Sequence, residues 1–440
     1  MIIRVAGRCA AALSLAAVLV AAPAALASEC APKPDSPAGY QITAVGADRV
    51  QPPATTPPIG VLDSGIGQVP ELDGRIQPGV NVVTGGQNTA DLDGHGTAVA
   101  TVAAGAAGGV RGVSPTSPVI PIKILDARGQ TTADDVVAGI DAALARGARV
   151  INISAAGAPG PMTADDRKVL TAIERAVSRG VVVVAPSGNE GKPGLDIPAT
   201  YPHVLAVGAT DESSVTAPFS NTGSGLDLVA PGSNITTAAP SFICSTGYSL
   251  VSGTSFSAPA VSGAAALLLA AQPSLDATQV GDALRLRGAT PAWSADVGFG
   301  LLDVPAALAA PPPPPQPAEV DDDVHWVKHS KPQLTARRRS ASITSRVALH
   351  TDPADVYRLQ LRAGDRFKAS VKAPGAKLVL ALWDAKTGSF DITGGRRTHR
   401  IAAGTKLAGV RIRKSGAYYL SVSVKSTPPA GAGYALSLLR

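Results

Sequence analysis

Apolar segments of four to seven residues alternate with amphipathic helical segments between residues 59 and 310. The predicted strands of this region are Ile59–Leu62, Val119–Leu125, Val150–Ser154, Val181–Ala185, Val204–Ala209 and Leu226–Val229. Thr132 and Thr163 each precede a segment with apolar residues at helical spacing, and threonine is a favoured N-cap. Strands this apolar are buried on both faces. The alternation therefore predicts an α/β domain, a parallel sheet with helices on both faces.

Two polar residues lie where such a domain commonly places a site. Asp63 follows the first strand, at the carboxyl edge of the sheet where open α/β folds bind ligands. His95 lies between Gly94 and Gly96 at the start of a predicted helix, where small neighbours let a substrate approach an imidazole. Taken alone, each residue could equally serve as a turn or cap residue.

Ser255 precedes an apolar helical run that continues to Ala271. We expect Pro259 to lie in the first turn of this helix, where its missing N–H costs little. A serine at a helix N-terminus is in a favourable field for negative charge, but its hydroxyl needs a base to become a nucleophile. The alternative is a serine that only caps the helix.

Asn189 follows the strand Val181–Ala185 within the segment Pro186–Gly191. An amide fixed at such a place can donate a hydrogen bond to charge that develops in a transition state. The alternative is an asparagine that stabilises a turn.

Five motifs in this order resemble those of the subtilases, the subtilisin-like serine peptidases. They are IGVLDSG (59–65), DGHGTAVA (93–100), VINIS (150–154), SGNEG (187–191) and GTSFSAPAVSG (253–263). The resemblance covers residues 59–308. The order Asp, His, Ser along the chain is also that of subtilisin.

The resemblance implies an endopeptidase that acts on polypeptide substrates through an acyl-enzyme. It makes Ser255 the nucleophile, His95 the general base and Asp63 the residue that orients His95. It makes Asn189 an oxyanion donor. The substrate-binding residues that it implies are Ser154, Ala155, Ala156 and Gly157, as an edge strand, and Pro186 and Gly188, as a wall of the specificity pocket. The chain departs from common family residues at Phe256, Ser252 and Ala156, which leaves its cleavage preference open.

Residues 1–27 are predicted to be a secretory signal, with Arg4 and Arg8 before an apolar core and a small-residue cleavage site. A membrane anchor is the alternative, but the apolar core is short. The run Ala258–Ala271 is also too short to span a bilayer, so we expect no transmembrane anchor after signal removal. The sequence thus predicts a secreted or envelope-associated protein.

Residues 28–58 form a predicted Pro-rich, extended arm. With the signal removed, two cysteines remain, Cys30 and Cys244, and in an exported protein they predict one disulfide. Two free thiols are the alternative. The short arm and Cys30 resemble the mycosins, envelope peptidases of actinobacteria.

The C-terminal part differs in charge and pattern. Residues 325–440 carry 22 Lys and Arg against 5 Asp and Glu, whereas residues 1–324 carry 17 against 28. Residues 311–334 are a predicted Pro-rich and acidic linker, and residues 335–440 a small antiparallel β-sandwich. Its predicted strands are Val356–Leu361, Phe367–Val371, Leu378–Trp383, Gly409–Ile412, Ala417–Val424 and Tyr434–Leu438.

This domain resembles the pre-peptidase C-terminal β-sandwich through DVYRLQLRAGDRF (355–367), LALWD (380–384) and GAYYLSVSV (416–424). Its positive charge predicts an anionic envelope polymer or surface as partner. Nucleic acid is not expected, because the signal directs the chain out of the cell.

No cofactor and no metal are expected. Calcium stays open, although no loop has the dense Asp and Asn oxygen ligands of a strong site. Two functions remain: a secreted serine endopeptidase, or an envelope-binding protein that uses an inactive peptidase scaffold and the basic module.

Overall fold

The computed structural model describes residues 18–20, 26–106, 108–159, 163–285, 293–310, 332–335, 337–347, 354–387, 399–426 and 432–440. Among these described residues, twelve strands precede residue 310: β1 Val18–Val20, β2 Leu26–Ala31, β3 Ile59–Asp63, β4 Val80–Asn81, β5 Val119–Lys123, β6 Gln130–Thr132, β7 Val150–Ile153, β8 Val182–Pro186, β9 Val204–Thr210, β10 Leu228–Pro231, β11 Ile235–Ala238 and β12 Tyr248–Ser252. The helices are α1 Tyr40–Ala44, α2 His95–Ala104, α3 Ala133–Ala145, α4 Ala164–Val177, α5 Thr254–Ala271, α6 Ala277–Arg285 and α7 Val304–Ala309.

Seven of these strands form one parallel sheet in the order β10-β9-β8-β7-β3-β5-β4. Side chains alternate between its two faces, so Val61 joins one hydrophobic cluster and Leu62 the other. Helices α2, α5 and α6 bury their apolar residues in the first cluster, and α3 and α4 in the second. The predicted α/β fold with helices on both faces is confirmed.

Local signals fixed two helix starts. Thr132 accepts a hydrogen bond from the Asp135 N–H, and Thr163 forms a complete capping box with Asp166. Six of these strands were not predicted: β1, β2, β4, β6, β11 and β12. They are short or polar, and their pairing depends on distant segments.

Helix α5 differs from the prediction in its length. It begins at Thr254, so Pro259 lies in its second turn and not in the first. With 18 residues and a mean hydropathy of 1.4, α5 is long and apolar enough to cross a bilayer, contrary to the expectation for Ala258–Ala271. However, 89% of it is buried within the domain, as in the core helix of a globular protein.

The N-terminal arm packs on the domain. Strand β2 pairs antiparallel with β12, and Cys30 forms a disulfide with Cys244. The arm is less extended than predicted, because α1 folds where prolines are absent and buries Ile42 in the core. Of the predicted signal, residues 1–17 and 21–25 lie outside the described residues, and β1 pairs with β6.

Removal of the disulfide is expected to destabilise the protein. The bridge joins residues 214 apart, and loop-closure entropy sets an upper value of about 5 kcal/mol for such a loop. The double variant C30S/C244S should therefore unfold at lower denaturant concentration than the wild type. As the matched control, reductant should shift the unfolding midpoint of the wild type and leave that of the variant unchanged. Equal stability of the two proteins would show that the bridge contributes nothing.

The C-terminal residues form a second domain. Its strands are β13 Ser340–Val347, β14 Ala354–Leu361, β15 Arg366–Lys372, β16 Lys377–Trp383, β17 Arg400–Gly404, β18 Lys406–Arg411, β19 Gly416–Ser426 and β20 Ala432–Leu439. They form two antiparallel sheets, in the orders β13-β20-β15-β18 and β14-β19-β16-β17. Residues of both sheets, among them Phe367 and Leu380, share one core, which confirms the predicted β-sandwich.

The sequence missed β13 and β17, which contain few large apolar residues. Leu334 is fully buried in this core, so the domain includes a residue that the prediction assigned to the linker. Residues 311–331 of that linker lie outside the described residues.

Candidate active site

Asp63 and His95 meet at the carboxyl edge of the parallel sheet. Asp63 is the last residue of β3 and His95 the first of α2. The imidazole Nδ1 lies 2.8 Å from Asp63 Oδ1 and 3.0 Å from Oδ2. The carboxylate is fully buried, whereas the imidazole keeps 18% of its side-chain surface exposed. The pair therefore combines a shielded acid with an accessible base.

Gly96 allows this close approach. A Cβ at position 96 would lie 2.1 Å from the Gly65 carbonyl oxygen and 3.1 Å from Asp63 Cβ. Any side chain here would push α2 away from the end of β3. A glycine at position 96 is thus a geometric requirement of the Asp63–His95 contact.

The surroundings of His95 raise its affinity for a proton. Burial lowers the pKa of an imidazole, but the charge of Asp63 and its hydrogen bond outweigh this effect. Together with Asp93 and Asp91, they raise the pKa of His95 to about 9. A protonated His95 is therefore well stabilised.

Asp91, which sequence reasoning missed, holds the loop before α2. Its Oδ1 accepts hydrogen bonds from the Ser64 hydroxyl (2.9 Å) and the Gly94 N–H (2.9 Å), and its Oδ2 accepts from the Thr97 N–H (2.9 Å) and hydroxyl (2.6 Å). Ser64 in turn accepts from the Gly96 N–H at 3.0 Å. The Asp-x-x-Gly spacing before a helix was the signal that could have indicated this cap.

Ser255 is the second residue of α5, and its carbonyl group has an unusual partner. Pro259 has no N–H to donate to the carbonyl four residues earlier, which is that of Ser255. The Ser154 hydroxyl donates to this carbonyl instead, at 3.2 Å. Ser154 is itself held by the Asn152 amide at 2.7 Å, and Asn152 accepts from Ser262 of α5 at 3.0 Å. This buried chain of hydrogen bonds fixes Ser255 relative to the sheet.

Phe256 brings the start of α5 next to His95. The Phe256 and His95 rings are 5.2 Å apart between centroids. In the part of the chain that the structure describes, no hydrogen bond joins the imidazole to the Ser255 hydroxyl. Such bonds are often long in unliganded enzymes and tighten when substrate binds. Of the two contacts of a triad, the one between Asp63 and His95 is thus present, and Phe256 places Ser255 close to His95 for the second.

Asn189 is oriented by Thr254. Its Oδ1 accepts from the N–H and the hydroxyl of Thr254, both at 2.8 Å. Its Nδ2 lies close to Gly253, 3.5 Å from where a Cβ would project, and has no hydrogen-bond acceptor among the described residues. The amide therefore presents a free donor beside the N-terminus of α5.

The predicted substrate-binding residues are only partly free. The backbone N–H and C=O of Gly157 both pair with Ile197, at 2.9 and 2.8 Å. Because these groups of Gly157 are already paired, they cannot also pair with a substrate strand. The expected substrate-binding edge is therefore reduced from residues 154–157 to residues 154–156. Pro186 ends β8, and the Gly188 N–H donates to Thr254 at 3.3 Å.

A charged cluster that the sequence did not indicate lies behind this wall. The Lys192 ammonium is 3.2 Å from Glu190 Oε2 and 3.5 Å from Asp196 Oδ1. The Asn221 amide donates to Glu190 at 2.6 Å. Burial, and next the charge of Glu190, raise the pKa of Asp196 to about 6. Asp196 lies outside every recognised motif, which is why it was missed.

Across the described residues, no group of three or more His, Cys, Asp or Glu could hold a metal ion. Calcium sites also use backbone carbonyl oxygens, so the calcium question stays open.

Comparison with known proteins gives one family. The family model described as Peptidase_S8, Subtilase family, matches residues 55–300. The chain is 38% identical to Subtilisin Savinase of Lederbergia lenta over 273 residues, which is 60% of this chain and 97% of the relative. It is 36% identical to Subtilisin DY of Bacillus licheniformis over 277 residues, 61% of this chain and 97% of the relative. It is also 36% identical to the Cell wall-associated protease of Bacillus subtilis (strain 168) over 233 residues, 52% of this chain and 25% of the relative.

Proposed function

The chain belongs to the subtilase family of subtilisin-like serine endopeptidases, and we propose that Asp63, His95 and Ser255 are its catalytic triad. The observation that carries the proposal is the contact of His95 Nδ1 with the buried Asp63 carboxylate, beside helix α5, whose second residue is Ser255. The contact fixes the tautomer of His95 and leaves Nε2 as the basic nitrogen.

The mechanism follows from this arrangement. Ser255 Oγ attacks the scissile carbonyl carbon while His95 Nε2 removes its proton. Asp63 stabilises the imidazolium, which then protonates the leaving amine, and the peptide bond breaks to give an acyl-enzyme. Water, activated by His95 in the same way, releases the acid product and restores Ser255.

Asn189 and the Ser255 N–H would bind the oxyanion of the tetrahedral intermediate. The first N–H groups of a helix have no intrahelical acceptor, so the Ser255 N–H is a natural donor. Asn189 adds the amide hydrogen that its Thr254 contacts leave free. Both donors are fixed before the charge develops, which gives this type of stabilisation its strength.

The variant N189A tests this role. We expect kcat to fall by about 10²- to 10³-fold, the loss known for removal of such a donor in subtilisin, while KM changes little. N189D is the matched control: it keeps the acceptor for Thr254, loses the donor, and should be as slow as N189A. Wild-type kcat in either variant would show that Asn189 only stabilises the turn.

Labelling with a serine-directed fluorophosphonate tests the proposed activity most directly. The wild type should be labelled at Ser255, and the variant H95A should not react at a comparable rate, because the hydroxyl then lacks its base. Absence of labelling in the folded wild type would favour the inactive-scaffold alternative.

Secretion is part of the proposal. It is supported by the predicted signal over residues 1–27 and by the Cys30–Cys244 disulfide, because such bonds persist in oxidising compartments. One relative is named a cell wall-associated protease, which fits an envelope location.

The C-terminal sandwich supports a second, binding role. Exposed Arg366 and Lys368 of β15 lie next to exposed Lys406 and Arg411 of β18, and Arg366 is directly opposite Arg411. Like charges opposite each other on a sheet repel, and an anionic envelope polymer would relieve this repulsion. Binding of this kind needs no catalytic residue.

A further inference from the structure

Asp196 is a buried acid that the proposed mechanism does not use. Its side chain is 3% exposed. Within the described residues, Oδ1 accepts no hydrogen bond, and the nearest cation is the Lys192 ammonium at 3.5 Å. Burying a carboxylate is costly unless it is fully paired, so a retained and incompletely paired acid needs an explanation.

The backbone of Asp196 connects the two proposed walls of the substrate pocket. Its N–H donates to the Ser187 carbonyl at 2.9 Å, within the wall Pro186–Gly188. The next residue, Ile197, pairs with Gly157 at the end of the edge strand. Residues 196 and 197 therefore connect the Pro186–Gly188 wall to the edge strand and form the floor of the proposed pocket.

The Asp196 carboxylate lies next to Gly188, in the proposed wall of the pocket. A Cβ on Gly188 would lie 2.7 Å from Asp196 Oδ2, and Gly188 immediately precedes the oxyanion donor Asn189. The Asn221 amide is nearer still to this position, so Asn221 and Asp196 together line the space beside Gly188. Because residue 188 is glycine, it places no side chain of its own against the carboxylate.

The net charge of the Glu190–Lys192–Asp196 cluster also favours binding of a cationic group of the substrate. Glu190 and Asp196 carry two negative charges against the single positive charge of Lys192. Glu190 is already bound by the Asn221 amide and by Lys192. Lys192 is 39% exposed, so its ammonium can turn to solvent and to Glu190 when another cation approaches Asp196.

We propose that Asp196 is a specificity-determining residue that directs cleavage to peptide bonds following lysine or arginine. The substrate's ammonium or guanidinium group would pair with the Asp196 carboxylate at the pocket floor. The inference rests on the proposed function, since it takes the walls of the pocket from the assigned active site.

Four peptide p-nitroanilides that differ only in the last residue, Arg, Lys, Leu or Phe, test the inference. For the wild type we expect kcat/KM to be at least about 10-fold higher for Arg and Lys than for Leu and Phe, as a charged hydrogen bond allows. D196N should lose about 10- to 100-fold on the basic pair and less than about 3-fold on the apolar pair. K192A, a change at an exposed side chain, should raise kcat/KM for the basic pair by removing a competing cation.

The outcomes separate the two proposals. Hydrolysis of the Leu and Phe substrates without a basic preference would overturn the role of Asp196 and leave the serine peptidase intact. An equal loss on all four substrates in D196N, or a weaker basic preference in K192A, would also overturn it. Absence of hydrolysis on all four, together with absence of fluorophosphonate labelling, would overturn the proposed function itself.

Discussion

Replacement of Ser255 by alanine is expected to lower kcat for peptide hydrolysis by about 10⁶-fold, the loss known for the same change in subtilisin. The reason is that, in the proposed mechanism, Ser255 Oγ forms the covalent bond of the acyl-enzyme, which alanine cannot form. Stopped assays with a peptide p-nitroanilide at high enzyme concentration would measure the residual activity of the variant. The remaining activity should come from the oxyanion donors and substrate binding alone.

A matched control keeps this result interpretable. The variant S257A removes a hydroxyl from the same helix, one that donates to the Pro231 carbonyl at 3.2 Å, and should retain near-normal kcat. Both variants should keep their affinity for an anionic polymer such as polyphosphate. If S255A keeps wild-type activity, the assignment of the nucleophile is wrong; if it binds no polymer, binding and catalysis are not separable.

Replacement of Asp63 by asparagine is expected to lower kcat by about 10⁴-fold, because an amide favours the wrong tautomer of His95. The pH profile should change as well. In the wild type the neutral imidazole is the active form, and its raised pKa means that kcat/KM increases with pH up to about 9. Without the charge of Asp63, the pKa of His95 falls, so the increase should occur at lower pH.

Measurement of kcat/KM between pH 5 and 10 for both proteins distinguishes a catalytic from a structural role for Asp63. A folded D63N variant with an unchanged profile would mean that Asp63 does not set the protonation of His95. The structure fixes the direction of the expected shift in the pH profile, since Asp63 is the nearest carboxylate to the His95 imidazole.

The sequence predicted those parts of the fold that depend on local pattern. The apolar runs at Ile59 and Val150 gave the inner strands, and the caps at Thr132 and Thr163 gave two helix starts within a residue. The pairing of β11 with β12, and of β12 with the arm, could not be predicted. These strands contain polar residues, and their partners are chosen by distant packing.

The same division applies to the site. Asp63, His95, Ser255 and Asn189 belong to motifs, and motif order was enough to propose them as site residues. The role of Ser154 as a donor to the Ser255 carbonyl depends on Pro259, a residue about a hundred positions away. The position of Asp196 could not be predicted, because it depends on backbone hydrogen bonds that connect two segments from different parts of the chain.

The contact at Gly96 has a consequence for engineering. The contact between Asp63 and His95 depends on the close approach of the main chain at Gly96 to that at Gly65, whereas the groups proposed to select a substrate are side chains on other loops. Reaction chemistry and choice of cleavage site are therefore separable modules. A designer could rebuild residues 190–197 for a new substrate and expect the reaction rate on a good substrate to survive.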